Sequence, residues 1–223
     1  MKADEFIREV EEELKQERLL ELWKRWGNLV IGAALAIVVG TAAWVGWQRW
    51  QEAQRRAEAE RFAAAERLFV EGRDREAVEA LQAFARDASP GFATVARLLA
   101  AAAAERAGDG ARAEDALRAV ADDPAADPLL RDAALVQLLA RRIEREDPRL
   151  LRARLEPLAV DGNPWRHAAR FLLAATEVRA GQREAAVAAL KRLIEEGTAP
   201  EGLRSRAREL LEALGAEGQR ATS

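Results

Sequence analysis

The chain has 223 residues, of which 49% are hydrophobic and 33% charged, and its formal net charge is −3. This length gives room for one domain with a real core and a short additional element. The sequence has no cysteine and one histidine, which excludes disulfides, thiolate metal sites and cysteine nucleophiles. The small net charge argues against nucleic acid as a partner, and the abundance of alanine, leucine, glutamate and arginine favours helices.

Residues 1–25 are predicted to form a short, acidic amphipathic helix. Phe6, Val10 and Leu14 share one face of such a helix, and glutamates lie largely opposite. Anionic lipid would repel this segment, so we expect it to contact protein or to continue directly into the next helix.

Residues 26–48 contain no charged side chain and are predicted to form a transmembrane signal-anchor helix in a lipid bilayer. At about 1.5 Å per residue they span ~35 Å, enough for a hydrocarbon core of ~30 Å. Indole rings prefer the headgroup region, and five of the six tryptophans lie at the two ends of this run: Trp23, Trp26, Trp44, Trp47 and Trp50. The alternatives are an alanine-rich buried helix and a cleaved signal peptide, and the acidic segment before the run argues against the latter.

The orientation and packing of the anchor rest on weaker signals. Lysines and arginines are balanced on the two sides, but Lys24 and Arg25 abut the run together, which favours a cytoplasmic N-terminus and an external C-terminal domain. One face repeats a small or polar residue every four positions, at Asn28, Gly32, Ala36 and Gly40. Such a face would let another transmembrane helix approach closely, including that of a second copy in a homodimer, although alanine-rich sequences also produce this spacing by chance.

Regular punctuation in residues 49–215 predicts stacked helical hairpins. Prolines recur at intervals of 36 to 38 residues, at positions 90, 128, 164 and 200, each near a predicted helix start. The ten residues from Gly72 match those from Gly181 position by position, with a looser copy from Gly108, and each glycine supplies the turn between two helices. The expected elements are hairpins at about 51–88, 91–123, 126–160 and 164–197, a capping helix at 200–215 and a disordered tail at 216–223.

These repeats resemble the tetratricopeptide repeat, which has glycine at the inter-helix turn, alanine early in the second helix and proline near the end of the unit. The predicted fold class is therefore all-α, with an N-terminal transmembrane helix followed by a tetratricopeptide-like α-solenoid of about four helical hairpins plus a capping helix. In tetratricopeptide proteins the first helices line a binding groove, which nominates Arg97, Trp165, Arg166 and Arg170 as partner-binding residues. The alternative is that these residues pack in the core or form a solvated face.

Three short motifs carry a wider resemblance. They are Asp4-Glu5-Phe6-Ile7, the Trp-Lys-Arg-Trp-Gly run at 23–27 and the Gly-Trp-x-x-Trp pattern at 46–50. Together with a single anchor and degenerate repeats, they resemble the ancillary SecYEG translocon subunit family of bacterial inner-membrane proteins. The resemblance implies a periplasmic repeat domain whose partners are Sec translocon subunits, periplasmic chaperones and translocating polypeptides.

No arrangement typical of an enzyme is found in the sequence. His167 has no second histidine for a metal site or a catalytic triad, and Gly108-Asp109-Gly110 is not followed by the Lys-Ser/Thr of a phosphate-binding loop. We therefore predict no catalytic residue, no metal site and no cofactor. The expected function is that of a membrane-anchored protein-binding adaptor, and the alternative is a membrane-tethered scaffold for envelope assembly or cell division.

Overall fold

The computed structural model describes the backbone of residues 2–221 and the side chains of residue 32 and residues 35–215. Helices joined by short turns account for the described chain, and it contains no strand. The all-α prediction is confirmed. The helices are α1 (Lys2–Val70), α2 (Asp74–Asp87), α3 (Pro90–Arg106), α4 (Gly110–Ala121), α5 (Pro128–Arg142), α6 (Pro148–Leu155), α7 (Arg166–Arg179), α8 (Arg183–Glu195) and α9 (Glu201–Ala221).

The chain divides into two units, residues 1–59 and residues 60–223. The first unit consists of the larger part of α1, and the second contains the end of α1 together with α2–α9. In the second unit, helices adjacent in sequence also pack against each other, as in a solenoid. Residues 60–70 of α1 pack against α2, for example through Phe62 and Phe84. The following hairpins are α3–α4, α5–α6 and α7–α8, with α9 at the end.

Glycine and proline place the turns and the helix starts where the sequence pattern predicts them. Gly72, Gly108 and Gly181 have positive φ angles of 76°, 76° and 73°, a conformation that a Cβ atom disfavours, and each ends the first helix of a hairpin. Pro90 and Pro128 are the first residues of α3 and α5, where a missing N–H is tolerated.

The core is a series of small clusters that follow one another along the solenoid. Alanines dominate the contact between α3 and its neighbours, where Ala96, Ala100, Ala103 and Ala104 are fully buried. Large side chains fill the space between hairpins, and those fully buried include Leu81, Leu138, Leu139, Leu151, Leu155 and Leu190. Small residues let the paired helices approach closely, and burial of the larger leucine side chains removes apolar area from water.

The third hairpin and the C-terminus differ from regular repeats. α6 has eight residues and gives way to a 3₁₀ turn over Glu156–Leu158, because Pro157 cannot continue the α-helix. The C-terminal helix α9 extends to Ala221, so helix covers residues 216–221 of the segment that the sequence assigns to a disordered tail. Glutamate, glutamine, arginine and alanine in this stretch are good helix formers, and the single Gly218 does not end the helix.

The segment predicted to cross a membrane is only partly described. Within the described residues, no helix combines the length and the apolar character that spanning a membrane requires. The side chains of residues 1–31, 33 and 34 lie outside the described residues, and with them the predictions for Trp23, Trp26, Asn28 and the acidic face of residues 1–25. The anchor remains a prediction.

Candidate interaction surfaces

Two of the four predicted groove residues, Arg97 and Arg170, join the two helices of their own hairpin. In the second hairpin, Nη1 of Arg97 in α3 donates to Oδ2 of Asp123, just beyond α4, at 2.9 Å. In the fourth hairpin, Nη1 of Arg170 in α7 donates to both carboxylate oxygens of Glu196, just beyond α8, at 3.1 and 3.2 Å. In both cases the acidic residue follows the arginine by 26 positions. We call these two interactions the hairpin clasps.

Arg170 makes further contacts with the loop before its own helix. Its Nε donates to the carbonyl oxygen of Ala159 at 2.9 Å and its Nη2 to Oδ1 of Asp161 at 2.5 Å. The hydrogen bond with Asp161 is the main cause that raises the pKa of Arg170, and the same bond lowers the pKa of Asp161. Both groups are therefore charged throughout the neutral range, and Arg170 ties the loop to both helices of the hairpin.

The clasp of the second hairpin also stabilises an ionised carboxylate. The backbone N–H of Ala125 donates to Oδ1 of Asp123 at 2.9 Å, and this bond is the first cause that lowers the pKa of Asp123. The hydrogen bond from Arg97 adds to the effect. Asp123 thus orders the connection between α4 and α5 as well as the end of its hairpin.

The other two predicted groove residues lie at the start of α7, close to Arg170. The indole Nε1 of Trp165 donates to the carbonyl oxygen of Leu129 in α5 at 3.0 Å, which links the third and fourth hairpins. Nε of Arg166 lies 3.9 Å from Oε1 of Glu196. The structure thus gathers Trp165, Arg166 and Arg170 at one end of α7, and Arg97 lies apart from them in α3. All four have contacts within the domain, and their role in binding a partner remains a prediction.

A second set of arginines, not predicted from the sequence, caps the ends of first helices. Nη1 of Arg179, in the last turn of α7, donates to the carbonyl oxygen of Glu146 at 2.8 Å and also contacts that of Ile143, at the end of α5. Nη2 of Arg106, in the last turn of α3, donates to the carbonyl oxygen of Phe69 at the end of α1. Its Nε donates to Oδ1 of Asp74 at 2.9 Å. Carbonyls at a helix end lack partners within their own helix, so each arginine joins one hairpin to the preceding one.

A signal for both sets is present in the sequence as a spacing. Both hairpin clasps join an arginine to an acid 26 residues later, and the two capping arginines, Arg106 and Arg179, lie about two repeats apart. Such a signal becomes specific only when the repeat length is known, since charges are frequent throughout the chain.

Residues 35–48, in the first unit, present apolar side chains on every face of α1. All residues from 35 to 50 are exposed, and the run from 35 to 48 contains no charged residue. The exposed fractions include 65% for Leu35, 67% for Ile37 and 64% for Trp44. Trp47 and Trp50 are exposed as well, with ring centroids 5.3 Å apart. A helix that is apolar all round requires an apolar environment to cover it.

The predicted helix-packing face lies on the same segment. Gly32, Ala36 and Gly40 are exposed, and a Cβ atom placed on either glycine would meet no other atom within 4 Å. The side chain of Asn28 lies outside the described residues. Packing of this face against another helix stays a prediction.

The described residues contain no group of three or more histidine, cysteine, aspartate or glutamate side chains placed to hold a metal ion. His167 is buried beside Glu196, with 3.4 Å between Nδ1 and Oε2. It lies among the residues of the fourth hairpin clasp.

Stacked helical hairpins define an α-solenoid, an architecture with an extended surface. A family comparison matches residues 21–148 to the tetratricopeptide repeat-like domain. The match covers more than half of the chain, and the chain belongs to this family. No curated protein and no solved structure matches it. Membership suggests a role as a protein-interaction adaptor, and repeat domains of this kind are typically non-catalytic.

Proposed function

We propose that this protein is a single-pass, membrane-anchored adaptor of the bacterial inner membrane. In this proposal it is an ancillary subunit of the Sec translocon, and its periplasmic repeat domain helps to pass translocated chains to chaperones. The observation that carries the proposal is the exposure of every residue from 35 to 50 on a helix without charges from 35 to 48.

The hydrophobic effect favours a lipid environment for this segment. Leu35, Ile37, Val38 and Val39 are each at least 60% exposed. Burying such a side chain fully is worth about 1.5–3 kcal/mol, so leaving the whole segment in water would be strongly unfavourable. Lipid covers all faces of a helix at once, whereas a single partner protein covers one face.

The tryptophans agree with an interface at the C-terminal end of the segment. Trp44, Trp47 and Trp50 follow the aliphatic stretch and lie where a run rich in charged residues begins, at Arg49. An indole ring prefers the boundary between hydrocarbon and water, because its body is apolar and its N–H can donate. The family match begins at residue 21 and therefore includes this segment together with the first repeats.

The mechanism that we propose requires no bond-making step. An anchor confines the repeat domain near the site where chains emerge, and confinement raises the effective concentration of a weak binding surface to the millimolar range. Stacked hairpins offer an extended surface suited to a flexible chain or to a helix of a chaperone. An external domain agrees with the positions of Lys24 and Arg25 beside the uncharged run.

Membrane anchoring is tested by a matched pair of substitutions on α1. Val39→Asp places a charge in the middle of the apolar segment, where it costs about 2.5–3.5 kcal/mol in a bilayer. Val70→Asp makes the same change at the exposed end of the helix, in the second unit. We expect alkaline carbonate to leave the wild type and Val70→Asp in the membrane pellet and to release Val39→Asp. Release of the wild-type protein would refute the anchor.

The translocon assignment is tested by photo-crosslinking in living cells. A photoreactive residue at Ala36 reports on neighbours of the anchor, and one at Leu129, which is 47% exposed beside Trp165, reports on the repeat domain. Glu212, exposed on α9, serves as the control position. Translocon subunits at Ala36, with chaperones or translocating chains at Leu129, would support the proposal. Division or cell-wall proteins at both sites would refute it and favour the scaffold.

A further inference from the structure

A shallow groove of about 480 Å³ runs between the two helices of the first hairpin. Its floor includes Ala64 and Leu68 of α1 and Ala80 and Ala83 of α2, and Arg61 and Asp87 stand at its rim. All lining residues belong to the first hairpin of the second unit. We call this surface the end groove.

The opposite end of the solenoid has a different character. α9 covers the last hairpin with Ala207 and Leu214, which are buried, and turns Arg206, Glu209 and Glu212 to the solvent. A polar outer face of this kind is what a terminal repeat needs to remain soluble. The first hairpin instead exposes Ala64 and Ala83 beside the half-buried Leu68, so an apolar strip lies among its exposed charges.

The rim of the end groove carries an unused hairpin clasp. Arg61 and Asp87 are 26 residues apart, as are Arg97 and Asp123 in the second hairpin and Arg170 and Glu196 in the fourth. Those two pairs are hydrogen-bonded, but among the described contacts Arg61 and Asp87 form no ion pair with each other. The guanidinium of Arg61 lies instead over the ring of Phe84, 5.6 Å from its centroid.

We infer that the end groove is the interface with a second copy of this chain. A two-fold dimer places the same surface on both sides, so it requires a surface that is complementary to itself. The end groove meets this requirement, because Arg61 of each copy can pair with Asp87 of the other while the alanine floors pack together. A head-to-tail arrangement would set this floor against the charged outer face of α9, which the desolvation of Arg206 and Glu209 disfavours.

This inference does not depend on the membrane proposal. The end groove lies wholly in the second unit, whereas Gly32, Ala36 and Gly40, the other candidate dimer surface, lie in the first. A dimer through the end groove would give the repeat domains a second copy of every binding surface, whether or not the anchor helices touch.

Charge reversal tests the two-fold pairing in the full chain in mild detergent, with mass measured by light scattering and sedimentation. Arg61→Asp or Asp87→Arg alone sets like charges against each other at two places in the dimer. We expect each to raise the dimer dissociation constant at least about tenfold. The double variant restores complementarity and should dimerise as the wild type does. Arg206→Asp, on the outer face of α9, is the matched control and should have no effect. Circular dichroism of each variant verifies folding.

Disulfide trapping provides an independent readout, because the chain has no cysteine. Ala83→Cys on the floor of the groove should give a cross-linked dimer under mild oxidation, and Ala213→Cys, exposed on α9, should not. A wild-type protein that stays monomeric at all concentrations would overturn the inference. A dimer that survives both single reversals and lacks the Ala83→Cys cross-link would also overturn it and indicate the face of Gly32, Ala36 and Gly40.

Discussion

Replacing Arg170 distinguishes a structural role of the predicted groove arginines from a direct role in binding a partner. Arg170→Ala removes the hydrogen bonds to Ala159 at 2.9 Å and to Glu196 at 3.1 and 3.2 Å. The side chains of Arg170 and Glu196 are 32% and 28% exposed, so water screens these bonds in part. The interactions with Ala159 and with Glu196 each contribute about 1 kcal/mol to the free energy of unfolding. The side chain of Asp161 is 92% exposed, so its bond with Arg170 adds no measurable stability.

The expected loss is therefore about 2 kcal/mol in the free energy of unfolding, equivalent to a fall of roughly 4–8 °C in Tm for a chain of this size. Arg170→Lys keeps a charge near Glu196 but loses the planar fork of the guanidinium, and we expect a smaller fall. Arg206→Ala is the matched control, because it removes an exposed arginine from α9, and its effect should stay within about 0.5 kcal/mol.

Thermal unfolding of the full chain, followed by far-ultraviolet circular dichroism in mild detergent, measures these differences. If Arg170 bound a partner and had no structural role, its replacement would reduce partner cross-linking and leave Tm unchanged. If Arg170→Ala melted like the wild type while partner cross-linking at Leu129 was lost, the clasp interpretation of Arg170 would be refuted. A lower Tm with cross-linking retained would confirm it.

Three further predictions follow from the hairpins. The hydrogen bonds from Ala125 and Arg97 lower the folded-state pKa of Asp123, so its contribution to stability is present at neutral pH and is lost as the pH falls through that lowered pKa. An acid titration of Asp123→Asn should therefore show a weaker pH dependence of Tm than the wild type. An equal dependence would show that these two bonds do not stabilise the carboxylate. Gly108→Ala should lower the free energy of unfolding in urea by about 1 kcal/mol, because its φ of +76° disfavours a Cβ atom. The added Cβ would meet no atom within 4 Å, so this cost comes from the backbone alone. Gly91→Ala, in α3, has no positive φ and should cost nothing. Leu138→Ala, at a fully buried position, should cost about 2–5 kcal/mol in the same measurement, and a value below 1 kcal/mol would show that the cluster around it repacks.

Local rules were sufficient to predict the helical hairpins. Gly72, Gly108 and Gly181 occur where the chain must adopt positive φ, and Pro90 and Pro128 occur where a helix can begin without a donor. These preferences act within a few residues and do not depend on the packing of distant elements. The end of α9 departed from prediction because helix-forming side chains outweighed the weak helix-breaking effect of single glycines.

The partners of the predicted groove residues could not be predicted in the same way. Arg97, Trp165, Arg166 and Arg170 were selected because first helices line a groove in similar repeats. The hydrogen bonds of Arg97, Trp165 and Arg170 to other helices and helix ends join residues 26 to 36 positions apart. With charges in a third of all positions, many acids stand at plausible distances from each arginine. Only the packing of one helix on the next selects Asp123 or Glu196 among them.

The sequence by itself determined the all-α class, the hairpin turns and the uncharged run of residues 26–48, because backbone conformation and hydropathy are properties of short segments. Tertiary structure decided which arginines close the hairpins and which cap the helix ends. It also decided that the guanidinium of Arg61 lies over Phe84, whereas the arginines with an acid at the same spacing in two other hairpins are hydrogen-bonded to that acid. A hydrogen bond forms over about 3 Å, and that distance is fixed only when two helices pack in one register.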